Sequence, residues 1–139
     1  MKKFICCWLL SCVLPVLANT DTVQVVITGD IMLGGLPEQA MRRGKDPFAG
    51  FAKVFQGADI RIGNLECVIS DQGEAEPDKP NVFRVHPRAM RYVRRHFDAV
   101  GLANNHSGDA GPDAFTAMRR TLESAGIHCL GQGDVGLGS

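Results

Sequence analysis

Phe97-Asp98-Ala99-Val100-Gly101-Leu102 runs directly into Ala103-Asn104-Asn105-His106-Ser107-Gly108-Asp109. The first part is a short apolar run of the kind that forms a buried strand, and a helix is expected from Pro112 onward. Two amides, an imidazole, a hydroxyl and a carboxylate therefore occupy a turn between a strand and a helix. A packed core has no use for so much polarity in one place, because each buried polar group needs a partner. The stretch reads either as a solvated turn, with Asn and Ser bonding the backbone, or as part of a site. The rest of the chain favours a site.

Downstream, Phe115, Met118, Leu122 and Ala125 make the apolar stripe of a helix that Gly126 stops, and Ile127 to Leu130 reads as one more strand. A glycine-rich end follows. Upstream, Pro87 opens a helix with Ala89, Met90, Val93 and Phe97 on one face and Arg88, Arg91, Arg94 and Arg95 on the other. Those arginines read as a solvated face or as a surface for an anionic polymer. Val82, Phe83 and Val85 suggest a short strand after the acidic surface loop Asp71 to Pro80. The stretch from Ala58 through Gly63-Asn64-Leu65-Glu66 to Ile69 reads as a strand with polar residues about its end. Phe48, Phe51, Ala52 and Phe55 recur at helical spacing as one core-facing surface.

Glu38 to Arg43 is a polar helical piece, and Val23 to Thr28 is a β-branched strand closed by Gly29-Asp30. Strands alternate with helices, so the fold class is α/β with a largely parallel sheet in a single domain.

The 139 residues hold 15 Lys and Arg against 15 Asp and Glu, a balance that argues against nucleic acid as the main partner. Residues 1–18 read as a signal peptide: a Lys2-Lys3 start, an apolar run from Phe4 to Leu17, and a Val16-Leu17-Ala18 cleavage site. The expected location is exported, periplasmic or at the cell surface, with residues 19–139 as the mature domain. An uncleaved anchor and lipid attachment at Cys12 are the weaker alternatives. Cys67 and Cys129 would remain, able to pair in an exported domain or to serve as buried free thiols.

The polar residues share one position. Asp30, the pair Asn64 and Glu66, and the run Asn105-His106 each follow a different strand at its carboxyl end. Ligands of open α/β sheets bind along that edge. Carboxylate and amide oxygens with an imidazole nitrogen suit a divalent cation such as manganese, iron or zinc, which can activate water and polarise a phosphoryl oxygen.

Gly29-Asp30-Ile31-Met32-Leu33, Asn64-Leu65-Glu66 and Ala103-Asn104-Asn105-His106-Ser107, with Asp109 and Gly111, resemble the CapA family of poly-γ-glutamate capsule synthesis proteins. The resemblance runs from about Val23 to Gly133. It implies a calcineurin-like metallophosphatase-type sheet with flanking helices. Asp30 then matches a metal-binding aspartate, Asn64 stands where such enzymes carry a metal-bridging aspartate, and Glu66 supplies the missing charge. Asn105 would ligate metal and His106 would act as general acid. Ser107 replaces the carboxylate expected after that histidine, and Asp109 comes two residues later. His128 is the only later histidine, whereas the family continues into histidine motifs that complete the metal site. The expectation is therefore the amino-terminal half of such a domain, truncated.

Three functions follow as expectations. The first is an exported metal-dependent phosphoesterase-like hydrolase acting on a phosphoester. The second is a non-enzymatic factor that guides an anionic polymer beside capsule-synthesis membrane proteins. The third is an inactive truncated product.

Overall fold

The computed structural model describes residues 22–74 and 79–131. The expected signal peptide and the glycine-rich end after Gly131 lie outside the described residues.

Strand β1 (Val25–Asp30) leads through a loop to helix α1 (Leu36–Arg42). A 3-10 turn, Ala49–Phe51, opens helix α2 (Ala52–Gln56), and β2 (Ile60–Asn64) follows. Two short strands, β3 (Val68–Ile69) and β4 (Arg84–Val85), come next. A second 3-10 turn, Pro87–Ala89, enters helix α3 (Met90–His96); then come β5 (Ala99–Gly101), α4 (Pro112–Ser124) and β6 (His128–Leu130). The main sheet has the order β1-β2-β5-β6 with every pairing parallel, and β3 and β4 form a separate parallel pair. Parallel neighbours need long crossovers, which helices supply within the main sheet. The expected α/β class and parallel sheet are those of the structure.

Register decides where the polar residues fall. Asp30 pairs with Asn64 after an irregularity between Ile27 and Asp30, and Asn64 pairs with Gly101. One row across three strands therefore carries Asp30, Asn64 and Gly101 at the carboxyl edge. Gly63 permits this crowding: a Cβ there would lie 2.5 Å from Ile31 Cδ1 and 2.6 Å from Thr28 Oγ1. Any larger residue would force the Ile31 and Thr28 side chains to shift.

The core contains Leu33, Met41, Leu65, Cys67, Val68, Val93, Val100 and Leu122, all essentially inaccessible. The stripe expected on α4 is present, with Met118 and Leu122 buried and Phe115 and Ala125 packed against the core. Cys67 and Cys129 are both free, Cys67 buried and Cys129 only half-buried. Arg88, Arg91, Arg94 and Arg95 are exposed, as expected.

Two expectations need correction. The stretch from Ala58 to Ile69 is two strands in two sheets. The chain leaves β2 at Asn64 because Leu65 N–H donates to Gly101 O and Glu66 N–H to Ile31 O, which turns it across the sheet edge. The aromatic face also divides. Phe55 is buried and Phe48 packs on Phe97 with ring centroids 5.2 Å apart, but Phe51 is 55% exposed and Ala52 faces solvent. The tighter winding of the 3-10 turn rotates Phe51 away from the face that an uninterrupted α-helix would share with Phe55.

Candidate functional site

The row at the carboxyl edge is wired together by amides. Asn64 Nδ2 donates to Asp30 Oδ1 at 2.8 Å and to Glu66 Oε2 at 2.6 Å. Asn104 Nδ2 donates to Asn64 Oδ1 and to Leu65 O, both at 3.0 Å. Asn104 Oδ1 accepts from the His106 backbone N–H at 3.0 Å and from Ser107 Oγ at 3.1 Å. Ser107, which is buried, also bonds Leu102 O through its hydroxyl.

This run of hydrogen bonds is consistent with only one orientation of each amide. A backbone N–H can only donate, so Asn104 must present Oδ1 to His106. Its Nδ2 then meets Asn64 Oδ1, and Asn64 is left with an N–H aimed at both carboxylates.

The imidazole faces another partner. His106 Nδ1 lies 2.8 Å from Asp109 Oδ2, which also accepts from Phe83 N–H at 2.6 Å. Lys79 Nζ stands 2.5 Å from the other oxygen, Oδ1, as an ion-pair contact, since no hydrogen bond among the described residues is directed at that oxygen. The Lys79 ammonium also donates to Asn105 O at 2.8 Å. Burial alone would push the Asp109 carboxyl up, but Lys79, the Phe83 N–H and His106 together outweigh it and hold its pKa below the ordinary value. The Phe83 ring packs on the imidazole with centroids 4.1 Å apart.

Asp30, Asn64 and Glu66 thus meet in one network, joined to the His106 backbone through Asn104. Asn105 is exposed and enters the site through its carbonyl, while Asn104 occupies the amide position within the network. Reading residue types along the chain does not separate two adjacent asparagines. Asp109 was visible as a carboxylate near the histidine. Its pairing comes from the turn of residues 104–110, which brings residue i+3 back to the ring. Lys79 and Phe83 carried no sequence signal for this role.

Among the described residues, no group of three or more His, Cys, Asp and Glu side chains gathers closely enough to hold a metal ion. The donor chemistry fits a hard divalent cation at Asp30 and Glu66, because the Asn64 N–H already sits where a positive charge between two carboxylates would be stabilised. The Asn64 oxygen can join them only if Asn104 releases it.

Comparison with known proteins agrees with the motifs. Residues 24–136 match the family model described as bacterial capsule synthesis protein PGA_cap. A probable polyglutamine synthesis accessory protein of Mycobacterium tuberculosis is 29% identical over 154 residues, covering 83% of this chain and 40% of the relative. An uncharacterized protein of Sinorhizobium fredii is 27% identical over 121 residues, covering 82% of this chain and 25% of the relative. The chain therefore spans about two fifths of the first relative's length and a quarter of the second's. With the family model matched over nearly all of the described fold, from β1 to β6, the chain belongs to the bacterial capsule synthesis family, the CapA family that its three motifs resemble.

Proposed function

We propose that this region carries part of a phosphoesterase-like hydrolytic site, of the calcineurin-like metallophosphatase type, in an exported protein of capsule synthesis. The observation that supports this reading is the convergence of Asp30, Asn64 and Glu66 on one register row, tied through Asn104 to His106. Asp30 and Glu66 would hold a manganese, iron or zinc ion, with Asn64 and Asn105 as further candidate ligands. A divalent ion bound there supplies Lewis-acid polarisation of a phosphoryl oxygen and a more acidic water.

The chain's own residues account for the proton. Asp109 accepts from Nδ1 of His106, so the cationic imidazole carries its other proton on Nε2. That proton is then available to a leaving oxygen. The buried carboxylate holds the ring's orientation, while the Phe83 ring shields one face. Asn64 holds the two acids together, and Asn104 holds Asn64. No helix among the described residues is long and apolar enough to cross a membrane. The export proposal rests on the sequence of residues 1–18.

The test is manganese titration of the full chain by electron paramagnetic resonance, beside hydrolysis of bis(p-nitrophenyl) phosphate. Manganese binding should be lost in Asp30→Asn with Glu66→Gln, and metal-dependent turnover should be lost in His106→Ala. Binding unchanged by the double variant, or turnover indifferent to His106, overturns the reading.

A further inference from the structure

The imidazole of His106 is clamped from a remote segment of the chain. Lys79 Nζ reaches Asp109 Oδ1 at 2.5 Å and Asn105 O at 2.8 Å. Phe83, four residues on, gives its N–H to Asp109 Oδ2 at 2.6 Å and lays its ring on the imidazole. Lys79 and Asn105 are 26 residues apart, as are Phe83 and Asp109. One ammonium therefore holds both the residue before His106 and the carboxylate three residues after it.

The small second sheet places this clamp. Strand β3 begins two residues after Glu66, and β4 begins one residue after Phe83. Val68 pairs with Arg84 and Ile69 with Val85, and the Val68 N–H donates to Phe83 O at 2.8 Å. The register that continues from the carboxylate row thus also sets where Phe83 and Lys79 stand. The loop after β3 meets the same turn, since a Cβ on Gly73 would come within 2.0 Å of Ala110 O.

We propose that Lys79 is a positioning residue for His106: it fixes the Asp109 carboxylate and the Asn105 carbonyl together, so that the ring presents Nε2 to a leaving oxygen. This role rests on the hydrolytic reading of the site. A carboxylate can only accept, so His106 Nδ1 is the donor and the ring's direction follows that of the carboxylate. The Asp109 side chain has no accessible surface, and among the described residues its Oδ1 has Lys79 as its charged partner. Without the ammonium a buried anionic oxygen is left bare. Rotation of the carboxylate toward water relieves that cost, and the bond to Nδ1 turns with it. A buried ion pair gives little net stability compared with apolar packing of the same volume. Fixing a lysine also costs side-chain entropy. The contribution of the pair is therefore one of geometry, to which proton transfer is sensitive: a misplacement of about 1 Å can cost about a hundredfold in rate.

Two measurements on the full chain test it. In nuclear magnetic resonance with nitrogen-labelled histidine, the His106 Nδ1–H signal is identified by its absence in His106→Ala. It should be sharp in the wild type and in Lys79→Arg, and broadened by exchange in Lys79→Met. In steady-state hydrolysis with manganese, Lys79→Met should lower kcat about tenfold or more with KM little changed, and Lys79→Arg should recover most of it. The loss should be larger for diphenyl phosphate than for bis(p-nitrophenyl) phosphate, because phenolate leaves less readily than p-nitrophenolate and depends more on the donated proton. A residue that only braced the turn would slow both substrates equally. If Lys79→Met does not fold by circular dichroism, Lys79→Gln takes its place. A sharp Nδ1–H signal in the Met or Gln variant, or equal losses on the two substrates, overturns the proposal. A wild-type chain without turnover would overturn the hydrolytic reading, and the resonance signal would still decide whether Lys79 fixes the ring.

Discussion

His106 Nδ1 and Asp109 Oδ2 lie 2.8 Å apart, and the Asp109 side chain has no accessible surface. The carboxylate holds the imidazole, the Phe83 backbone and the Lys79 ammonium at once. Asp109→Asn keeps the shape but leaves Lys79 against a neutral amide. Breaking a buried charge pair from one side is expensive, and a loss of about 3 kcal/mol is expected. Urea denaturation checks this; a loss below about 1 kcal/mol would show that Asp109 does not anchor the turn.

Acid should weaken the fold through a second carboxylate. Arg61 grips Asp98 with its backbone N–H, Nε and Nη2, at 2.8, 2.9 and 2.8 Å, tying β2 to the start of β5. The Arg61 hydrogen bond is the main reason the Asp98 pKa is lowered, against the opposing effect of partial burial. A group depressed in the folded state contributes fully above its unfolded pKa, and the contribution is lost as pH falls through the folded pKa. The melting temperature should therefore drop below about pH 4 and drop less steeply in Asp98→Asn. Parallel curves for the two proteins would count against the pairing.

The two neighbouring asparagines should behave differently. Asn104→Ala strips partners from Asn64 Oδ1, Leu65 O, Ser107 Oγ and the His106 N–H, at a cost of about 2 kcal/mol. Asn105→Ala removes an exposed side chain and should change stability by about 0.5 kcal/mol or less. Equal effects in chemical denaturation would contradict the assignment of Asn104 to the network.

Burial pushes the Cys67 thiol up to about 11, so it holds almost no thiolate near neutral pH. Cys129 is only half-buried, with its pKa raised mainly by partial burial. Iodoacetamide labelling followed by peptide mapping should modify Cys129 in the native protein and Cys67 only after unfolding.

At the β1 edge, the sheet formed by the described residues is apolar. Among the described residues β1 pairs with β2 alone, and Val25 and Ile27 are 47% and 75% exposed. Such an edge invites pairing with another chain. Ile27→Lys should reduce self-association in light scattering while leaving the unfolding midpoint nearly unchanged, because a side chain so exposed contributes little packing.

The alternation of strands and helices, the stripe on α4, the arginine face of α3 and the placing of Asp30, Asn64 and His106 after strands were all legible in the chain. These features depend on local periodicity and on breakers such as Gly126 and Pro112, which act over a few residues. The site's wiring was not legible, because its partners are remote in sequence. Asn64 meets Asp30 across 34 residues and Asn104 across 40. Which asparagine joins the network, and where the Ala58 to Ile69 stretch divides, depend on the register of β1, β2 and β5. That register is set by the packing of Ile31, Leu65 and Val100 in a shared core. A one-residue slip would leave composition and motifs untouched while turning each of these side chains to the opposite face of the sheet.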